Sequence, residues 1–473
     1  MNRYQEEYNR KKMSARQVLE NIQSRDFVFT PMAASCPDAL MGELQHLKDT
    51  GVKDVILQSC IPSVDYPVFH DPEMKAVMAH HGWFFTAGLR KANAQRLVSA
   101  VPQHSTSILR KTLDRIRYEG RRPVLLTTVS PMDARGYMSL SISSIYEMDV
   151  VRAGAVLLVE VNPNYPRTFG DTMVHISQVT ALVESDRPIL CVDPAPYTEV
   201  DATIGKYVAS LVEDGSTIQL GIGNIPNAVA NELKSKKHLG IHTEMFTETM
   251  VDLIECGAVD NTQKGFNDGV SICSFTMGSR RLYDFLDDNP MVLFKSSTYS
   301  NDPYTIGRNN KFVSINATLE MDLTGQAASE SVGPVQFSGS GGQAETIQGA
   351  QMSPGGKSIL AMHSTYTDRD GKLHSKIVPM LTPGAAVTTS RNDVLPLLAS
   401  VPVGFSIYSP LDAFSAFVVF SVLSAFSVSW FSATLASDSK SLPSTFQYRQ
   451  TDVCQRRRSC CRSWQTHRGG AAR

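Results

Sequence analysis

Short, uninterrupted apolar runs alternate along this chain with stretches whose apolar residues recur at helical spacing. Runs of the first kind fall at residues 27–30, 55–58, 124–127, 155–161, 217–220, 291–294 and 312–315. Each is too short for a helix and long enough for a strand, and an unbroken apolar character fits a strand covered on both faces. Their alternation with amphipathic stretches predicts βα units and mainly parallel sheets, hence an α/β fold. An internal echo at an offset of 189 supports two similar halves: Ile22, Pro37, Ala39, Glu43 and Leu44 recur as Leu211, Pro226, Ala228, Glu232 and Leu233. Each copy reads as helix, strand, small-residue loop, then a helix with proline in its first turn, where a missing N–H costs nothing. Prolines at 194 and 196 set the expected boundary, giving domains at 1–195 and 196–400.

Beyond residue 400 the pattern changes. Residues 413–436 form a stretch of 24 without a charge, with six serines and only two leucines, followed by a basic run at 455–462. By length the stretch could span a bilayer. Its serine content weakens that reading, so it stands as a poor candidate span beside a buried segment or an atypical tail over 401–473.

Composition narrows the class. Of 473 residues, 45 are Lys or Arg and 46 Asp or Glu, a net charge of −1 that leaves no electrostatic footprint for nucleic acid. The eight cysteines lie scattered without C-x-x-C pairs, which argues against a disulfide framework or zinc site and suits a reducing compartment, with the cytoplasm expected, or the mitochondrion if the source is eukaryotic. The first residues are polar and lack the apolar core of a secretory signal.

Three places carry candidate chemistry. Gly221, Ile222, Gly223, Asn224 and Ile225 follow a strand and open a helix, where free N–H groups could meet a phosphate. The run lacks a third fingerprint glycine and a Walker lysine, so a ligand-free turn is an equal reading. Glu244 follows an apolar run that ends a strand, the end at which open α/β sheets bind ligands. It also sits at helical spacing from Glu248, Asp252 and Glu255, and so could belong to a solvated helix face. Gly339, Gly341 and Gly342 make a turn that could offer N–H groups to an oxyanion or be a plain surface turn, and Glu330 is a rival carboxylate. His80, His81 and His242 show no ligand spacing and read as structural.

Taken together, these runs resemble the acetyl-CoA hydrolase/transferase family, and within it the 4-hydroxybutyrate CoA-transferase branch. The resemblance covers roughly residues 10–393, densest over 204–223, 240–245, 377–379 and 386–393, with further matches at 129–133 and 170–175. It implies two similar open α/β domains with the active site between them, and a homo-oligomer. It implies Glu244 as nucleophile, Asn301 and the Gly342 backbone as oxygen-stabilising donors, and CoA contacts at residues 221–225, Leu319, Gly339 and Gly341. The implied partners are an acyl-CoA and a short-chain carboxylate, with coenzyme A as substrate and covalent intermediate and no permanently bound cofactor. A hydrolase using water as acceptor, or a CoA-binding remnant disabled by its tail, are the alternatives. After Asp393 the chain leaves the family pattern, and the absent strand is expected to bare an apolar face of the second domain.

Overall fold

The computed structural model describes residues 2–394 and the backbone of three short strands, Leu397–Ala399, Gly404–Ile407 and Val418–Ser421. The basic run and the rest of the 401–473 tail, including most of the candidate span at 413–436, lie outside the described residues. Among the described residues no helix is long and apolar enough to cross a membrane.

All the apolar runs become strands. The first sheet has the order Val179–Glu184, Val156–Val161, Pro123–Val129, Phe27–Ala33, Val55–Pro62, Met78–Gly82, Val98–Ala100, and its neighbours run parallel. Side chains alternate between its two faces. Phe27, Phe29, Leu125, Leu157 and Val159 enter one core, while Val28, Val124, Leu126 and Leu158 enter the other. Both faces are therefore dry, which explains the lack of alternation in the sequence.

The second sheet orders Gly240–Ile241, Thr217–Leu220, Val313–Ala317 and Lys357–Met362 in parallel. Its edge continues with Leu397–Ala399, whose Leu397 pairs with Leu360. The internal echo falls on the same order of elements in both halves. Ala15–Leu19, Phe27–Ala33 and Asp38–Glu43 repeat as Glu199–Ser210, Thr217–Leu220 and Asn224–Glu232, each a helix, strand and helix.

Residues from both sequence halves meet directly. Phe169–Gly170 pairs in parallel with Val292–Phe294, and Met245 and Phe275 pack into the first sheet's core. A Cβ at Gly170 would stand 2.2 Å from the Phe294 carbonyl oxygen, so this junction requires glycine. Cys36, Cys60, Cys191, Cys256 and Cys273 are free thiols.

Candidate active site

Glu244 lies on the seam between the two cores. The buried strand Gly240–Ile241 ends in His242 and Thr243, and the chain then turns across the carboxyl ends of the second sheet. Lys264 sits beneath that strand and donates to the carbonyls of Ile241 (2.9 Å) and Val270 (2.7 Å). Gly240 makes room for it, since a Cβ there would fall 2.2 Å from Lys264 Cγ. His242 is fully buried, with Nε2 donating to the Ser300 carbonyl at 2.8 Å. Burial pushes its pKa down to about 3, so it is a neutral anchor, in line with its structural reading. The Glu244 carbonyl accepts from the N–H groups of Ser274 (2.9 Å) and Phe275 (3.1 Å). Met245 then enters one core and Phe246 the other. The backbone around this acid is held from both sides.

Its carboxylate is held as firmly. Ser105 Oγ donates to Oε1 at 2.9 Å, and the Gly342 N–H donates to Oε2 at 3.1 Å. Asn301 lies behind them with its Oδ1 accepting from Ser300 Oγ, while its buried Nδ2 makes no hydrogen bond of its own. That spare donor is close. A Cβ on Gly342 would meet Asn301 Nδ2 at 2.1 Å and Glu244 Oε2 at 2.8 Å. Withdrawal from water raises the Glu244 pKa, and the bonds from Ser105 and Gly342 and the Asn301 amide pull the other way.

The carboxylate faces a cleft of about 500 Å³, of the size that small ligands occupy. Met32, Cys60, Ile61, Trp83, Ile145 and Tyr146 supply an apolar wall from the first half of the chain. The second half supplies Gly221, Ile222, Leu319 and the turn Gly339, Gly341, Gly342. Buried polar atoms without partners also reach this region, at Trp83 Nε1 and Gln103 Oε1.

Comparison with known proteins places both halves of this α/β fold in one family. The acetyl-CoA hydrolase/transferase N-terminal domain matches residues 1–194, and the C-terminal domain of the same family matches residues 278–398. The chain belongs to the acetyl-CoA hydrolase/transferase family. It is 38% identical over 391 residues to the succinyl-CoA:cyclohexane-1-carboxylate CoA transferase of Geobacter metallireducens, covering 83% of this chain and 87% of that one. It is 45% identical over 278 residues to the 4-hydroxybutyrate coenzyme A transferase of Clostridium kluyveri, covering 58% and 64%. Among solved structures, RipA from Yersinia pestis superposes with a TM-score of 0.76 at 32% identity, covering 84% of this chain and 90% of that one. The acetyl-CoA hydrolases of fungi match over shorter stretches, for example 30% identity over 43% of this chain.

Within this family frame, the structure sorts the sequence candidates. Glu244, Asn301 and Gly342 converge, and Gly221, Ile222, Leu319, Gly339 and Gly341 line the same cleft. Gly223 is the N-cap of the helix Asn224–Glu232, at φ +123°; Asn224 is exposed and Ile225 is buried in the second core. The cleft-facing part of that loop therefore stops at Ile222, because the helix that follows turns Ile225 inward. Glu330 does not reach the cleft. It is buried, one oxygen lies 3.3 Å from Thr388 Oγ1, and its backbone carbonyl accepts from Phe337 and Ser338. The helical-face reading holds for Glu248, Asp252 and Glu255, which all contact Arg281 on one helix face, while Glu244 lies before that helix begins. Two residues at the site went unnoticed in the sequence, Ser105 and Glu345. No local motif marks them, since their partners lie 139 and 240 residues away.

Proposed function

We propose that this chain transfers coenzyme A between a short-chain acyl-CoA and a free monocarboxylate, with Glu244 as the covalent nucleophile. The observation that carries this reading is a half-buried carboxylate, open only to the cleft, with a donor on each oxygen and the Asn301 amide beside it. In the first step a Glu244 oxygen attacks the thioester carbon, the C–S bond breaks, and CoA leaves as thiolate with an acyl-glutamyl anhydride behind it. The thiolate then attacks the glutamyl carbonyl and breaks its C–O bond, freeing the first acid and leaving a glutamyl-CoA thioester. An acceptor carboxylate runs the same steps in reverse. A carboxylate is a weak nucleophile in water, so placement and desolvation must supply much of the rate. The Gly342 N–H and Asn301 Nδ2 are positioned to meet negative charge on oxygen as the tetrahedral centres form. Exchange that depends on added acetate, measured with butyryl-CoA as donor, tests this reading; release of free CoA at the same rate without acetate would make the chain a hydrolase.

The wall of the cleft bears on the acyl group. Among the described residues that line it, Arg90 is the one cation, and its guanidinium donates to the Phe337 carbonyl at 2.8 Å and stacks 4.4 Å over the Phe337 ring. A second carboxylate on the acyl chain would meet a largely apolar wall whose one cation is already engaged by Phe337, leaving it the neutral Trp83 Nε1 donor and no ion partner of its own. Butyryl-CoA is therefore expected to exceed succinyl-CoA in kcat/KM by about 100-fold or more in acetate exchange. Equal values for the two donors would contradict this account of the chamber.

Glu244 must be ionised to attack, and burial raises its pKa above the ordinary 4.5. The profile of kcat/KM for acyl-CoA, which reports groups of the free enzyme, should fall on the acid side with an apparent pKa above that value. An acid limb below 4.5 would mean that the donors outweigh desolvation.

A further inference from the structure

A second carboxylate, Glu345, lies behind the first, and nothing in the proposed chemistry uses it. It is 3% exposed and sits in the first turn of the helix Gln343–Met352, whose N-cap is Gly342. Its Oε1 accepts from the Thr106 N–H at 2.8 Å and from Thr106 Oγ1, and its Oε2 accepts from the Ser105 N–H at 3.1 Å. These donors open the 15-residue helix Ser105–Glu119, whose own N-cap residue, His104, offers no side-chain bond. The free N–H groups and positive end of that helix are thus satisfied by an acid from far along the chain.

The position of this clamp matters more than its strength. Ser105 Oγ donates to Glu244 Oε1, and Gly342 N–H donates to Glu244 Oε2. Both donors therefore hang from helix starts that Glu345 ties together. Ser297 Oγ adds a third tie, donating to the Ser105 carbonyl at 2.8 Å from the short helix that ends at Asn301. Burial, and next to it the Glu244 charge, push the Glu345 pKa up to about 7. A neutral cap would hold the helix at less electrostatic cost, so a buried acid here calls for a further reason.

We propose that Glu345 is a positioning residue that locks the Ser105 helix to the glycine turn, so that Ser105 Oγ and Gly342 N–H stay on the two oxygens of Glu244. The inference rests on the reading of Glu244 as nucleophile. Reaction geometry is sensitive on this scale, since a displacement of about 1 Å can cost on the order of 100-fold in rate.

The test uses the full chain and acyl-CoA:acetate exchange, with kcat and KM measured separately for Glu345→Gln, Ser105→Ala and the double variant. Glu345→Gln should lower kcat about 100-fold with KM for acyl-CoA held within about 3-fold. Ser105→Ala should lower kcat about 10-fold, as for loss of a charge-assisted hydrogen bond. The double variant should be no slower than Glu345→Gln, because one residue acts through the other. Glu345→Asp should recover part of the loss. Wild-type kcat in Glu345→Gln, or a double-variant loss equal to the product of the single ones, would overturn the proposal. If Glu345→Gln does not fold, Thr106→Ala carries the test: a drop in kcat of about 5-fold at unchanged KM supports the clamp, and unchanged kcat overturns it. A fully active Glu244→Gln would instead defeat the reading of the nucleophile, and so separates the two failures.

Discussion

Glu244→Gln is expected to lose CoA transfer by on the order of 10⁵-fold, while the melting temperature holds or rises. The amide has nearly the same shape: its oxygen keeps the Ser105 Oγ bond, while its NH2 faces the Gly342 N–H, a lost bond set against a charge no longer withdrawn from water. What disappears is the oxygen nucleophile, for which neither the Ser105 hydroxyl nor the Gly342 N–H can substitute. The stability half of the expectation follows from the raised pKa. A carboxyl whose folded pKa lies above its unfolded value binds its proton more tightly in the native state. It is harmless below the unfolded value and costs stability in full above the folded one. At neutral pH the wild-type chain carries that cost and the glutamine variant does not. Loss of activity together with loss of fold would speak for a structural glutamate instead.

Gly342→Ala tests the turn in the same way. Gly342 has φ −93° and ψ 9°, a conformation open to alanine, so its need for glycine is one of space alone. A Cβ would stand 2.1 Å from Asn301 Nδ2 and 2.8 Å from Glu244 Oε2. Something must move, and whichever group yields, a donor leaves the reacting carboxylate. The expected loss in kcat is about 10²–10³-fold, the usual effect of removing one oxyanion donor. Gly341→Ala is the contrast. Gly341 has φ +54°, yet a Cβ there would meet nothing closer than 3.8 Å. It should cost about 1 kcal/mol of stability and change kcat by less than about 5-fold. Equal damage from the two substitutions, measured as kcat and as melting temperature, would remove the special place given to Gly342.

The sequence exposes those features whose causes are local. An unbroken apolar run such as 155–161 can hardly be anything but a strand covered on both faces, and Leu157, Leu158 and Val159 are all fully buried. Glu244 shows itself by following such a run at the end of a sheet, and Gly339, Gly341 and Gly342 by having no side chain to block an approach. The strand–loop–helix order around residues 221–225 was legible, while which of its side chains face the cleft was not. The glycine loop at 221–225 turns into a helix at Asn224, and helical periodicity then carries Ile225 into the core. Ser105 and Glu345 could not be read in this way. A serine in the first turn of a helix and a glutamate in the first turn of another are ordinary, and only the fold brings them to the same carboxylate. Glu330 is the converse case, an acid in a suggestive run whose side chain the fold directs to Thr388.

The central claim is that coenzyme A becomes attached to Glu244. The full chain, incubated with butyryl-CoA without an acceptor acid, digested and measured by mass spectrometry, should carry the mass of CoA on the peptide containing residue 244. Borohydride treatment should convert that residue to its alcohol, and added acetate should discharge the adduct before digestion. An adduct on a peptide holding Glu330 or Glu345, or transfer at the full rate with no adduct at any time, would contradict the account.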